Sequence, residues 1–199
     1  MKIKELPVKY QKIWAQCLPL FKRGRPGDAQ HAKEVVELIL GYRGKLKFDG
    51  DVLIPVAMMH DIGHTAILPE HFKYITGPEK VKNGKLVHML VGAKIARDIL
   101  SAVKYNKHAS REIIDIISMH DADQLDLSDW RRLYTTRNKK IFHDLDSLDR
   151  YSAKRLKSMF SIGFKDPGQV FKVLEKFLDN FFFQEFKDIA QKSLAQLKK

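Results

Sequence analysis

Four of the eight histidines lie on or beside the apolar stripe of a predicted helix, and each belongs to a different helix. They are His31, His60, His88 and His120. Taken singly, a histidine in such a position is more often an ordinary core residue. An imidazole buried in a helix interface nevertheless needs a polar partner. Four that converge in one bundle would satisfy one another best by binding a metal ion, as inward-facing side chains of helical bundles do. Asp61 follows His60 directly and adds a carboxylate to this set.

The donor atoms in this set restrict the kind of metal ion that it could bind. They are nitrogen and oxygen donors, and the single cysteine, Cys17, excludes both an internal disulfide framework and a cysteine-built zinc site. We therefore expect one or two divalent transition-metal ions (iron, manganese, zinc, nickel or cobalt), and magnesium is also compatible. Such an ion would activate water and offset charge on a phosphoryl oxygen, which is the chemistry of a hydrolase.

The elements that must position these residues are helical, since alternating strand-type patterns are hard to find. Helices are predicted from an Asp28 cap to Gly41, from an Asp51 cap to Gly63, and over 85–100, 109–121, 141–160, 168–182 and 184–197, with loops at 65–84 and 122–140. The sequence therefore predicts an all-α bundle.

Composition and charge restrict the class of protein. A chain of 199 residues with 44% hydrophobic and 30% charged residues predicts a globular domain with its own core. No targeting signal is visible, and no apolar run approaches the ~18 residues of a membrane span, so we expect a soluble, cytoplasmic protein.

The net charge of +12 favours anionic ligands such as small phosphorylated molecules. Nucleic acid is disfavoured because no helix-turn-helix, zinc-finger or RNP pattern is present. A phenylalanine-rich C-terminal stretch over 177–186 is expected to pack on the core or on a second copy, which is compatible with a homodimer.

Five segments in order along the chain resemble the HD superfamily of metal-dependent phosphohydrolases. They are Arg25–Ala32, which contains His31; Ile54–Gly63, which contains His60-Asp61; His88–Ala96; Ile116–Asp121, which contains His120; and Phe142–Asp149. The resemblance covers about residues 25–152 and implies an all-α HD-domain helical bundle with additional C-terminal helices. We expect an HD phosphohydrolase domain over 1–160 and a helical extension over 161–199, packed on the same domain or on a partner subunit.

The resemblance implies a metal-ligand set residue by residue. The ligands of one metal would be His31, His60, Asp61 and Asp146. Ser147 stands where the family has a basic residue, so Asp144 and Asp149 remain alternatives to Asp146 as the last ligand. We prefer Asp146 because Leu148 then keeps its place two residues later.

His88 and His120 match the additional histidines of those branches of the family that bind two metals. His88 and His120 would hold the second ion, and Asp61 would bridge the two; the alternative is that His88 and His120 contact substrate around a single metal. His64, three residues after Asp61, stands where some branches carry a lysine, and it is predicted as a general acid or phosphate ligand; the alternative is an ordinary residue at a helix C-terminus. Lys85, before His88, is a further candidate for binding phosphate.

The resemblance implies hydrolysis of a phosphate ester or anhydride of a nucleotide or similar small metabolite. Among the branches, the six-ligand pattern is most similar to the diadenosine tetraphosphate hydrolases. The Gly-Tyr-Pro signature of the cyclic-dinucleotide phosphodiesterases is missing. The alternative prediction is a catalytically weak HD module that binds nucleotides or serves regulation.

Overall fold

The structure, a computed structural model, describes residues 3–66, 77–125, 127–161 and 166–198, without the side chains of 66, 77–83, 158–161 and 167. This part of the chain contains helices and no strand, which confirms the predicted all-α class. The helices are α1 (Val8–Phe21), α2 (Asp28–Tyr42), α3 (Gly50–Met59), α4 (Gly77–Ala102), α5 (Lys107–Ile117), α6 (Arg137–Asp149), α7 (Ala153–Ser161), α8 (Pro167–Phe177) and α9 (Gln184–Leu197). Helix α1 had no counterpart in the sequence prediction.

Both predicted N-caps are wrong: the cap of α2 lies one residue before the predicted one, and the cap of α3 lies two residues before it. Gly27, with φ 97°, is the residue that precedes α2, and Asp28 is the first residue of the helix. The cap of α3 is Asp49, whose carboxylate accepts a hydrogen bond from the Asp51 amide at 2.8 Å. Asp28 does not cap because its carboxylate is engaged elsewhere, by Arg25.

Helix α4 is longer than predicted. It begins at Gly77 and not at Lys85, so the last part of the predicted 65–84 loop is helical. Pro78 does not prevent this, because a proline in the first turn lacks only an amide that would have no partner within the helix. The middle of that predicted loop, residues 67–76, lies outside the described residues.

A single helix over 141–160 is wrong, because a turn separates α6 from α7. The amides of Arg150 and Tyr151 bond back to the carbonyls of Ser147 and Leu148 at 3.2 and 3.0 Å, which tightens the chain. The Ser152 hydroxyl then accepts from the Arg155 amide at 3.1 Å and starts α7. Helix α6 also begins earlier than predicted, at Arg137, inside the expected 122–140 loop.

The chain divides into two compact units, Met1–Lys139 and Lys140–Lys199. The predicted domain boundary at residue 160 stays a prediction. In the first unit, every residue of α3 from Val52 to Met59 is buried, so this helix forms the centre of the core. In the second unit, the buried side chains include Phe142, Leu174 and Phe186, and the Tyr151 hydroxyl donates to the Leu174 carbonyl at 2.9 Å. No helix within the described ranges is long and apolar enough to cross a membrane.

A 3-10 segment, His60–Ala66, continues from α3 and crosses α4 at very short range. A Cβ at Gly63 would lie 1.8 Å from the His88 carbonyl oxygen and 2.7 Å from the Gly92 amide nitrogen. Only glycine allows the two backbones to approach this closely. The crossing therefore sets the distance between the His60–Asp61 turn and His88.

We expect Gly63→Ala to lower the free energy of unfolding by roughly 3 kcal/mol, because the clash is with backbone atoms that cannot rotate away. Chemical denaturation measures this effect. Gly41→Ala is the matched control, since a Cβ there meets nothing within 4 Å and the residue lies in helix α2, so its stability should be unchanged or slightly raised. Equal stability of the two variants would contradict the close crossing.

Candidate metal centre

The four histidines predicted as metal ligands converge in the first unit from four different segments. His31 lies on α2, His60 opens the 3-10 segment after α3, His88 lies on α4, and His120 lies in the turn that follows α5. His60, His88 and His120 are 3% exposed or less. The apolar stripes on which the sequence placed them therefore do face one interior.

The imidazoles meet in two pairs through their Nε2 atoms. The His31 and His60 nitrogens are 3.0 Å apart, and those of His88 and His120 are 3.2 Å apart. On the opposite side of each ring, Nδ1 of His60, His120 and His88 lies 3.1, 2.9 and 3.3 Å from the carbonyls of residues 57, 117 and 84. An Nδ1 proton that donates to a carbonyl leaves the Nε2 lone pair free to face inward, as in histidines that bind metals.

Asp61 lies between the two histidine pairs. Its Oδ2 is 3.7 Å from Nε2 of His60 and 4.0 Å from that of His31. Its Oδ1 is 3.8 Å from Nε2 of both His88 and His120. Each carboxylate oxygen thus serves one pair, and the two resulting groups of donor atoms, each spanning no more than 4.8 Å, could each hold a metal ion.

The donor chemistry fits a divalent cation. In the His88–His120 pair both Nδ1 atoms lie on carbonyls, so the two Nε2 lone pairs at 3.2 Å repel each other unless a proton or a metal cation lies between them. Burial, with the neighbouring His120, lowers the pKa of His88 to about 3, so His88 stays neutral and does not resolve this repulsion by protonation. Neutral imidazole is the form that binds metals.

Asp61 is held as an anion although its side chain is only 8% exposed. Burial alone would raise the pKa of its carboxyl, but the surrounding imidazoles of His60, His120 and His64 hold this pKa well below its usual range. The Arg25 guanidinium adds an ion pair at 3.1 Å to Oδ2. A carboxylate that remains ionised at neutral pH is the form needed to bridge cations.

Arg25 and Asp28 are part of this centre, and sequence reasoning did not assign them to it. The Asp28 Oδ1 accepts from Arg25 Nε at 2.8 Å, while the buried Oδ2 of Asp28 has no hydrogen-bond partner among the described residues. Burial and the nearby Asp61 charge raise the pKa of Asp28. With Asp61 and His64 it forms a third group of potential cation ligands. Its spacing of three residues from His31, which places both on one helix face, was the available signal.

The two predicted catalytic side chains outside the ligand set lie beside the second histidine pair. His64 Nε2 is 3.4 Å from Asp61 Oδ1, and its ring stacks on His88 with centroids 4.3 Å apart. Lys85 Nζ pairs with Asp121 Oδ2, which is itself 3.5 Å from His88 Nε2. An imidazole and a lysine cation therefore lie next to the candidate centre.

The predicted last ligand lies on α6, in the second unit. Asp144 is unsuited to this role because its carboxylate already accepts from the amides of Phe182 and Phe183, at 3.0 and 2.8 Å, and lies 2.9 Å from His143 Nδ1. Asp146 and Asp149 are half-buried on the same helix. Asp146 stays the predicted ligand.

Comparison with known proteins agrees with this site. The model of the HD domain family matches residues 28–151, which is more than half of the chain and contains every predicted metal ligand. Neither a curated protein nor a solved structure matches the chain. On the family match and the His/Asp cluster, the chain belongs to the HD-domain family, a superfamily of metal-dependent phosphohydrolases.

Proposed function

We propose that this protein is a phosphohydrolase with two divalent metal ions, which cleaves a phosphate ester or anhydride of a nucleotide or similar small metabolite. The observation that carries the proposal is the position of Asp61, whose two oxygens each face a separate histidine pair. The first ion would be held by His31, His60 and Asp61, and the second by Asp61, His88 and His120. When bound, such ions would polarise the phosphoryl group and activate water at neutral pH.

The chain's own residues would perform the remaining steps. His64, with its side chain 12% exposed, would give a proton to the leaving oxygen while Asp61 orients its ring. Lys85, 24% exposed, would bind a phosphate oxygen of the substrate from the solvent side. Asp121 would hold Lys85 in position and maintain the orientation of His88.

The substrate class follows from charge and from the number of metals. A net charge of +12 attracts anions, and a dinuclear centre can neutralise adjacent phosphates. The resemblance to diadenosine tetraphosphate hydrolases makes dinucleotide polyphosphates the first substrates to test. Nucleoside monophosphates would come first if the centre held a single ion.

We expect about two transition-metal ions per chain when the protein is purified without chelator and without oxygen. The variant His88→Ala/His120→Ala should retain about one, because His31, His60 and Asp61 remain. Elemental analysis gives the ratio, and the exposed His108 provides the control variant His108→Ala, which should match the wild type. One ion in both the wild type and the double variant would contradict the dinuclear assignment.

We expect His60→Ala and Asp61→Ala each to lower kcat/KM for phosphohydrolysis at least about 100-fold, because loss of residues that merely orient metal ligands already costs 10–100-fold. The measurement is phosphate or nucleotide release by the metal-loaded protein, with His108→Ala again as the control. Activity that survives both changes would refute the metal-hydrolase assignment. Ligand binding without turnover of any phosphorylated compound by the wild type would instead support the non-catalytic nucleotide-binding module.

We expect Lys85→Gln to raise KM about tenfold with little change in kcat, which is the signature of a lost contact that binds ground state and transition state alike. Lys94→Gln, at an exposed site on the same helix, is the matched control and should leave both constants unchanged. A fall in kcat and in metal content at constant KM would show instead that Lys85 acts through Asp121 on the metal centre.

A further inference from the structure

Helices α4 and α5 form an antiparallel hairpin with two chemically different ends. At one end His88 meets His120, and further along Gly92 lies against Ile117. At the other end the chain turns over 103–106, and a cavity of about 460 Å³ opens between the helices. Arg97, the lining residue nearest to His88 in sequence, is nine residues along α4 from it, about 13 Å of helix, so this cavity is separate from the metal centre.

The wall of this cavity, which we call the hairpin cleft, is strongly basic. Four exposed cations line it: Arg97, Lys104, Lys107 and Arg111. No acid is among the lining residues, and none of these four cations forms an ion pair within the described part of the chain. Concave walls of one sign focus the field and concentrate anions.

The hairpin cleft also has an apolar and hydroxylic part. Leu100 is buried, and Tyr105 and Ile114 are half-buried in the lining, with Ser101 and Ser110 beside them. The Tyr105 hydroxyl donates to the Asp51 carbonyl at 2.8 Å, which fixes this side chain. An open groove of this size, with cations and hydroxyl groups around a small apolar patch, offers both charge and contact area to a small anionic molecule.

Two of the cations occupy positions that folding disfavours. Lys107 stands in the first turn of α5, where the helix dipole repels a positive charge and no acid compensates. Lys104 has φ 52°, in the left-handed region. It lies at the end of α4, where the amides of Lys104 and Tyr105 bond to the carbonyls of Ser101 and Leu100. Glycine or asparagine is usual at that position. The local fold disfavours the charge of Lys107 and the backbone conformation of Lys104, although a positive charge at the end of α4 is itself favourable. A bound anion would offset the cost at Lys107.

We propose that the hairpin cleft binds a small polyphosphorylated molecule with an aromatic ring, of the nucleoside diphosphate or triphosphate class. Three or four negative charges on phosphate would match the four cations, and the ring would rest on the apolar part of the lining. A nucleic-acid backbone fits less well because it needs an extended basic stripe, whereas these cations surround one cavity. The site does not depend on the proposed phosphohydrolase activity.

The test is calorimetric titration with ADP of the metal-loaded protein. Lys104→Gln/Lys107→Gln should weaken ADP binding about tenfold. Lys172→Gln/Lys192→Gln, which removes the same charge from exposed positions in the second unit, should change it less than about twofold. Pyrophosphate should bind more weakly than ADP, because it lacks the ring.

The outcomes separate this site from the metal centre. ADP binding that persists in His88→Ala/His120→Ala and weakens in Lys104→Gln/Lys107→Gln supports the hairpin cleft, whatever the catalytic result. The reverse pattern places ADP at the metal centre and overturns the proposal, as does an equal loss in the control variant or no ADP binding at all. Binding of a single-stranded oligonucleotide in preference to ADP, with steep salt dependence, would overturn it in favour of a nucleic-acid surface.

Discussion

A buried carboxylate is the constraint on which the first unit depends. Asp61 is 7% exposed, and an ionised group at such a site is tolerated only when positive or polar partners surround it. Nε2 atoms of five histidines lie within 4.0 Å of its oxygens: His31, His60, His64, His88 and His120. Those histidines come from segments far apart in sequence. The helices must therefore converge on one point, and the same convergence that balances the charge creates the candidate metal centre.

The ends of two helices orient the ligands. The last carbonyls of an α-helix have no partner within it. Helix α3 ends at Met59 and α5 at Ile117, and the next residues include His60 and His120. Each ring turns back so that Nδ1 reaches a carbonyl three residues earlier, at 3.1 and 2.9 Å. In each case one hydrogen bond gives a partner to a carbonyl near the helix end and points Nε2 toward the candidate metal centre. The Gly63 crossing then brings the His60–Asp61 turn to the backbone of α4.

The pattern of apolar residues predicted the features that depend on helical periodicity. It missed the features that depend on the hydrogen-bond partner of a particular side chain. The helical class and the convergence of four histidines followed from apolar stripes, because burial decides which face of a helix points inward. The break after α6 did not, since the Ser152 hydroxyl that starts α7 is locally no different from a surface serine. Asp28 was misassigned for the same reason. An aspartate before a helix predicts a cap, and only the fold shows that Arg25 takes its carboxylate.

The sequence contains the dipeptide His-Asp three times at buried positions, and the surroundings of Asp61 and Asp144 give two of these copies different chemistry. Asp61 faces imidazole nitrogens on both oxygens and accepts one hydrogen bond from Arg25 Nη2, at 3.1 Å, so further lone pairs remain available to a cation. Asp144 receives the amides of Phe182 and Phe183 at the start of α9, so its lone pairs stabilise the fold of the second unit. A carboxylate saturated by backbone amides is a poor metal ligand, because binding an ion would leave those buried amides without acceptors. The motif therefore indicates a metal site only where the structure leaves the carboxylate free to bind one.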